Sequence, residues 1–185
     1  MTSHETAFTM DTSSIKYGAG TTREVGLDIA KYSAKRVMLV TDPNLSDSEP
    51  VNIAMQSLAD ADIDAVKFDG TRIEPTDVSF KEAIDFAKAG NFDAYIAVGG
   101  GSSIDTAKIA NLYATHPTDD FLDYVNVPLG NGKPIPGAIK PLIAIPTTAG
   151  TGSETTGVAV FDLLEKHVKT GISHRALRPV LGIID

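Results

Sequence analysis

The chain has 185 residues, of which 42% are hydrophobic and 22% are charged, and its formal net charge is −8. This length and apolar content suffice for one sizeable core, so we expect one domain. The acidic charge, without a long basic run, argues against a nucleic-acid partner, because phosphate binding needs clustered Lys and Arg. The absence of cysteine excludes disulfides, thiolate metal sites and a cysteine nucleophile.

The N-terminal segment is not expected to be a secretory signal peptide. Residues 1–11 are polar and lack the basic and apolar regions of a signal peptide, and 1–13 is expected to be a loose N-terminus. No run approaches the roughly 18 apolar residues of a membrane span. We therefore expect a cytoplasmic protein without a membrane partner. No transit peptide is evident, although the sequence leaves a mitochondrial location open.

Strand and helix patterns alternate along the rest of the chain. The predicted strands are 14–17, 36–41, 65–68, 94–98, 141–146 and 180–184. The predicted helices are 21–34, 50–60, 76–89, 102–113 and a short one at 119–125. Strands 158–162 and 167–172 are predicted to form a small β-hairpin. This alternation predicts an α/β fold with a mostly parallel, Rossmann-like sheet and helices on both faces.

A strand, a glycine turn and a helix follow one another at 92–108, which reads FDAYIAVGGGSSIDTAK. Gly99, Gly100 and Gly101 lack the Cβ atoms that would keep an anion off the backbone, and the next helix begins with free N–H groups. The pattern therefore predicts a phosphate or pyrophosphate site. Ser102 can cap the helix, with Asp105 at the capping-box position. The alternative is a tight turn whose glycines only let helix and strand pack closely.

Two other strand ends carry polar groups suited to a ligand. Asp42 follows the strand 36–41, where a carboxylate can accept hydrogen bonds from a ribose; the alternative is a turn-forming Asp before Pro43. Small residues fill 147–154, TTAGTGSE, directly after the strand 141–146. Their hydroxyls and open backbone suit ligand contact, and the alternative is a flexible linker.

Several of these stretches resemble one enzyme family. GGGSSIDTAK at 99–108, IPTTAGTGSE at 145–154, LVTD ending at Asp42 and the final LGIID are similar to the iron-containing (group III) alcohol dehydrogenases. The resemblance runs from about residue 14 to the last residue. It implies an oxidoreductase whose dinucleotide-binding domain covers 14–185 and which uses NAD.

Other stretches point to one branch of that family. ETTGVAVFD, RIEPTD, FLDYVNVPLG and VKTGISHRALRPVLGIID most resemble the hydroxyacid-oxoacid transhydrogenases. Those enzymes move a hydride from 4-hydroxybutyrate to 2-oxoglutarate by way of bound nicotinamide. The resemblance therefore implies small hydroxyacid, oxoacid or alcohol substrates. A homo-oligomer is left open.

The resemblance also implies the cofactor-binding residues. Asp42 matches the acid that holds the adenosine ribose and favours NAD over NADP, because a 2′-phosphate would meet a like charge there. Gly99, Gly100, Gly101 and Ser102 match the pyrophosphate-binding turn, and Lys169 matches a lysine that contacts the nicotinamide-side ribose. The other predicted contacts are Asp105, Thr147, Thr148, Thr151 and Thr156. Glu74 stands where many relatives carry Asn near the adenine, which puts a contact from position 74 in doubt.

The family's metal ligands have no match in the sequence. Members hold a divalent metal, Fe or Zn, with an Asp, a His four residues later and two further His, all in a helical C-terminal domain. The histidines here are His4, His116, His167 and His174, and none follows an Asp at that spacing. We therefore expect each His to be a surface or loop residue. We also expect the helical metal-binding domain to be absent, and the metal to be present only in the complete enzyme.

The sequence thus predicts the NAD-binding half of a hydroxyacid-oxoacid transhydrogenase, with no catalytic residue of its own and little turnover alone. One alternative is a general NAD-dependent alcohol dehydrogenase. Another is a non-catalytic nucleotide-binding fragment. A third is the dehydroquinate synthase group, whose glycine turn is of the same kind.

Overall fold

The computed structural model describes residues 12–185. The predicted loose N-terminus, 1–13, therefore lies almost wholly outside the described residues. Ser13 donates a hydrogen bond from its hydroxyl to Thr155 O at 2.9 Å, so the chain is already packed at this point.

Six parallel strands form the central sheet, in the order β1-β8-β5-β4-β2-β3. The remaining two strands, β6 and β7, form an antiparallel hairpin. The α/β class, the parallel sheet and the hairpin are therefore confirmed. The strands are β1 (Ile15–Tyr17), β2 (Arg36–Val40), β3 (Asp64–Phe68), β4 (Ala94–Gly99), β5 (Leu142–Pro146), β6 (Val158–Leu163), β7 (Val168–Ser173) and β8 (Leu181–Ile184).

Four α-helices cover the two faces of this sheet: α1 (Val25–Ala30), α2 (Glu49–Asp60), α3 (Asp77–Gly90) and α4 (Gly101–Thr115). The pleat of β2 shows the arrangement. Val37 and Leu39 belong to the core shared with α1 and α2, whereas Met38 and Val40 belong to the core shared with α3 and α4. Because successive strand residues point to opposite faces, both faces are buried, as the apolar strand RVMLV indicates.

The first helix is shorter than predicted. A 3-10 turn at Thr21–Glu24 precedes α1, which ends at Ala30 rather than at residue 34. Ser33 takes a positive φ of 60°, which closes the helix in a turn. Gly26 lets α1 approach α2, because a Cβ at this position would lie 2.0 Å from Ser57 O. Tertiary contact with α2 therefore decides the shape of this segment.

A short 3-10 helix, Phe121–Asp123, replaces the predicted helix 119–125. The hairpin packs outside the α3–α4 layer. Ala159 and Phe161 of β6 join Ile109 and Leu112 of α4 in one buried cluster. The hairpin is therefore the fourth layer of the fold, after the α1–α2 layer, the sheet and the α3–α4 layer.

Among residues 12–185, no helix is both long and apolar enough to cross a membrane.

Candidate functional site

The candidate site is the crevice that the strand order creates at the carboxyl edge of the sheet, between β2 and β4. These strands are neighbours, yet the helix after β2 packs on one face and the helix after β4 packs on the other. The two connections diverge at this point, and ligands of open α/β sheets bind where this happens. Asp42 follows β2, and the glycine turn follows β4. The topology therefore brings two predicted site elements to the same edge.

The glycine turn leads directly from β4 into α4. Gly99 has a φ of +156°, and a Cβ on it would lie 2.5 Å from Ser103 Oγ, so this glycine is required for packing. Gly100 occupies the N-cap position without a side-chain cap, and its carbonyl accepts from the N–H groups of Ser103 and Ile104. The N–H groups of Gly101 and Ser102 therefore precede the first intrahelical bond.

Two predictions about this helix start are wrong. Ser102 does not cap α4 but lies inside its first turn, where its hydroxyl accepts from Glu74 N at 3.3 Å. Asp105 does not complete a capping box either, because its carboxylate accepts from Val160 N at 3.0 Å, on the hairpin. Glu74 thereby brings the loop after β3 to the rim of the crevice.

The threonine segment lies against the glycine turn. A Cβ on Gly100 would lie 3.3 Å from Thr148 Oγ1, and one on Gly101 would lie 3.1 Å from both Thr151 Cγ2 and Ser153 Oγ. Thr147 N donates to Gly99 O at 3.1 Å, which extends the pairing of β4 with β5. The glycines therefore allow close packing, and this packing brings the threonines to the turn.

Asp42 lies at the other wall of the crevice. It is 8% exposed, and its Oδ1 accepts from Asn44 N at 2.9 Å, so the turn-forming contact is confirmed. Behind it, the hydroxyls of Thr41 and Thr71 are buried and have no hydrogen-bond partner within residues 12–185. The crevice therefore presents a carboxylate and helix-opening N–H groups, and the two buried hydroxyls lie beneath its surface. This set fits a ligand that carries both phosphate and sugar hydroxyls.

An open cavity of about 780 Å³ adjoins the threonine end of the crevice. It lies at the carboxyl ends of β5 and β8, beside the starts of α1 and α2. Its lining includes Arg23, Glu49, Ile53, Ile145, Thr147, Thr148, Glu154 and Asp185. A small molecule in this cavity would therefore meet the same two threonines as a ligand in the crevice.

The hairpin carries the last predicted contact. Lys169 lies on β7 directly opposite Asp162 of β6, and its Nζ is 3.0 Å from Asp162 Oδ1. Its side chain is 56% exposed. Thr156 precedes β6 and is half-buried.

Asp105 and Lys108, both on α4, form a buried ion pair that faces the hairpin, with Lys108 Nζ 3.4 Å from Asp105 Oδ1. Lys108 Nζ also donates to Val158 O at 2.7 Å, and the Ser153 hydroxyl hydrogen-bonds the Asp105 carboxylate. Burial raises the pKa of Asp105 and lowers the pKa of Lys108, while their mutual attraction opposes both shifts. The sequence analysis assigned Asp105 to a capping box and to the cofactor contacts, and it included Lys108 only as the last residue of the motif 99–108. Their role in packing depends on a strand about 50 residues downstream.

The described histidines occupy turns, as predicted. His116 follows α4, His167 precedes β7, and His174 begins a 3-10 turn, where its Nδ1 accepts from Ala176 N at 3.1 Å. Within residues 12–185, no three His, Cys, Asp or Glu side chains lie close enough together to hold a metal ion. The described residues therefore do not fit the family's metal.

Comparison with known proteins identifies relatives over the whole described chain. The family model described as "Iron-containing alcohol dehydrogenase" matches residues 12–185. The mitochondrial hydroxyacid-oxoacid transhydrogenase of Bos taurus is 59% identical over 179 residues, which are 97% of this chain and 38% of that protein. The chain therefore spans less than half the length of this relative. The relative is named mitochondrial, which agrees with the alternative location and gives no support to a cytoplasmic one.

Solved structures share the fold. NADH-dependent butanol dehydrogenase A from Thermotoga maritima matches 97% of this chain and 44% of its own, with a TM-score of 0.86 and 26% identity. Sulfoacetaldehyde reductase from Bifidobacterium kashiwanohense, solved in complex with NAD+, matches 97% of this chain and 46% of its own, with a TM-score of 0.82 and 26% identity.

Proposed function

Because the chain belongs to the iron-containing alcohol dehydrogenase family, we propose that it is the NAD-binding part of a hydroxyacid-oxoacid transhydrogenase. The observation that carries this proposal is the crevice between β2 and β4, with Asp42 on one wall and the glycine turn on the other. Residues 14–185 then form the dinucleotide-binding domain. The 59% identity to the bovine transhydrogenase, against 26% to butanol dehydrogenase A, favours this branch over the alcohol dehydrogenases.

Each end of the dinucleotide has its own residues. The Asp42 carboxylate accepts hydrogen bonds from the adenosine ribose, and its charge disfavours a 2′-phosphate. Gly99, Gly100, Gly101 and Ser102 bind the pyrophosphate through backbone N–H groups and the positive end of α4. Lys169 contacts the nicotinamide-side ribose. Thr147, Thr148, Thr151 and Thr156 line the cofactor toward the nicotinamide, and Asp105 holds this segment from behind.

Bound NAD supplies the hydride carrier at nicotinamide C4. In the proposed reaction, 4-hydroxybutyrate is oxidised and 2-oxoglutarate is reduced on the same cofactor. The described residues bind and orient the dinucleotide, and no step assigned to them uses the family's divalent metal. The cavity beside Thr147 and Thr148 is where the small acid would approach the nicotinamide.

Titration calorimetry with NAD and with NADP tests the assignment. The wild-type chain is expected to bind NAD more tightly than NADP. Asp42→Gly is expected to weaken the affinity for NAD about 10- to 150-fold, as for loss of a hydrogen bond to a charged group. It is also expected to reduce the preference for NAD over NADP. Asp47→Gly is the matched control, because the side chain of Asp47 is 97% exposed. Absence of NAD binding to the wild type would refute the proposed function.

The transhydrogenase and the alcohol dehydrogenase are distinguished by their hydride acceptor. A transhydrogenase converts 4-hydroxybutyrate only when 2-oxoglutarate is present, without net reduction of free NAD. An alcohol dehydrogenase accumulates NADH when supplied with a simple alcohol. The assay measures the accumulation of NADH and the reduction of 2-oxoglutarate in a protein that contains this chain. Accumulation of NADH with simple alcohols and no transfer to 2-oxoglutarate would overturn the transhydrogenase assignment.

A further inference from the structure

The outer edge of β6 carries backbone groups that β7 does not pair. In an antiparallel hairpin, alternate residues point their N–H and C=O groups away from the partner strand. Val158 O, Val160 N and Asp162 N belong to this outer edge, and all three are hydrogen-bonded to groups outside the hairpin. Buried backbone groups need such partners, and a two-stranded hairpin is marginal without further support.

Side chains of α4 take the place of a third strand at this edge. Lys108, which is 0% exposed, donates to Val158 O at 2.7 Å, and Asp105 accepts from Val160 N at 3.0 Å. One side chain thus supplies the donor and the other the acceptor that a neighbouring strand would supply. A hydrophobic pair at these positions would leave both backbone groups unsatisfied, which explains two charged residues on an otherwise uncharged helix.

The third hydrogen-bonded group on the same edge belongs to Asp162, which also contacts Lys169, the predicted cofactor contact. Asp162 N donates to Pro75 O at 2.8 Å, and the Asp162 carboxylate is 3.0 Å from Lys169 Nζ. Asp105 also contacts Ser153, which follows Thr151 in the segment against the glycine turn. The ion pair therefore ties β6 and the threonine segment to α4. Asp162, two residues beyond Val160 on β6, carries the lysine opposite it.

We propose that Asp105 and Lys108 are positioning residues that hold the β6–β7 hairpin in register on α4, so that Lys169 reaches the dinucleotide. This inference rests on the proposed function, because it assigns the ion pair a role in cofactor binding. This assignment replaces the predicted cofactor contact of Asp105, whose carboxylate is bonded to Val160 N. Both residues of the ion pair act through the backbone of β6.

A double-mutant cycle on NAD affinity tests the proposal. Lys169→Ala and Lys108→Met are each expected to weaken NAD binding about tenfold, the scale of coupled contacts. The double variant is expected to bind NAD no more weakly than Lys108→Met alone, because Lys169 is already displaced in that background. If the ion pair only stabilises the fold, Lys169→Ala keeps its full tenfold effect in the Lys108→Met background, and that result would overturn the proposal.

Amide hydrogen exchange gives a second measurement that needs no cofactor. In Lys108→Met, the Val160 N–H is expected to exchange at least about tenfold faster while α4 stays protected. Unchanged exchange at Val160 would refute the positioning role of the ion pair, whether or not the wild type binds NAD. Failure of the wild type to bind NAD would refute only the proposed function. Ser153→Ala, a milder change at Asp105, replaces Lys108→Met if that variant does not fold. It is expected to weaken NAD binding and to speed Val160 exchange in the same direction, and unchanged values of both would overturn the proposal.

Lys31→Met is the matched control for loss of a paired lysine. Lys31 lies in the turn after α1, its side chain is 71% exposed, and it pairs with Asp28 at 2.8 Å. It is expected to leave NAD affinity and Val160 exchange unchanged. Equal effects from Lys31→Met and Lys108→Met would mean that loss of any paired lysine disturbs the hairpin, which would also overturn the proposal.

Discussion

Replacing Gly99 by Ala separates the packing role of the glycine turn from its binding role. A Cβ at this position would lie 2.5 Å from Ser103 Oγ and 2.8 Å from Ser103 Cβ, and φ is +156°. Overpacking of this kind costs about 1–3 kcal/mol, because the core cannot give way. A backbone region that side chains rarely adopt costs about 1–3 kcal/mol more. Together they predict that Gly99→Ala lowers the free energy of unfolding by about 2–6 kcal/mol.

Gly150→Ala is the matched control. Gly150 also has a positive φ, +122°, but a Cβ on it would meet nothing within 4 Å. It therefore isolates the backbone cost, about 1–3 kcal/mol. The two variants are compared by urea unfolding of the 185-residue chain, with midpoint and slope fitted separately. Equal losses in the two variants would show that Ser103 yields to the extra methyl group, and the packing argument for Gly99 would be refuted.

Two further predictions concern contacts that hold helices and strands together. Ser57→Ala is expected to cost about 1–3 kcal/mol of unfolding free energy in urea, because the Ser57 hydroxyl bonds both Gly26 N at 2.9 Å and Arg23 O at 2.7 Å; a loss below about 0.5 kcal/mol would contradict this. Hydrogen bonds from Lys35 N and Arg36 N lower the pKa of Asp93, so the stability it contributes is present at neutral pH and is lost as pH falls below about 4. Asp93→Asn should therefore destabilise the chain at pH 7 but not at pH 2.5, and an equal loss at both values would contradict the argument.

Local patterns predicted most of the elements. The strand at β2 was predicted from the run RVMLV, and α3 from its apolar spacing and Thr76, which caps it in a capping box with Ser79. The turn after β4 was predicted from three consecutive glycines. These predictions succeeded because strand propensity, helical periodicity and glycine turns act over a few neighbouring residues.

The failures involve residues whose partners are distant in the chain. The helix predicted at 21–34 begins as a 3-10 turn and ends at Ala30, and its Gly26 packs against Ser57 of α2, 31 residues away. Asp105 has the spacing of a capping residue, yet it turns inward to Val160, 55 residues away. Ser102 meets Glu74 instead of capping its own helix. Local spacing cannot distinguish a capping acid from a buried one when the deciding partner lies on another element.

The sequence by itself determined the α/β class, the glycine turn at a strand end and the carboxylate after β2, because each depends on neighbouring residues. Only the tertiary structure decided that β2 and β4 are adjacent and that their helices leave on opposite faces. That arrangement brings Asp42 and the glycine turn to one edge of the sheet, where the proposed dinucleotide would meet both. Only the tertiary structure decided, too, that Lys108 is buried, because the carbonyl that it satisfies, Val158 O, belongs to a strand that folds back onto α4.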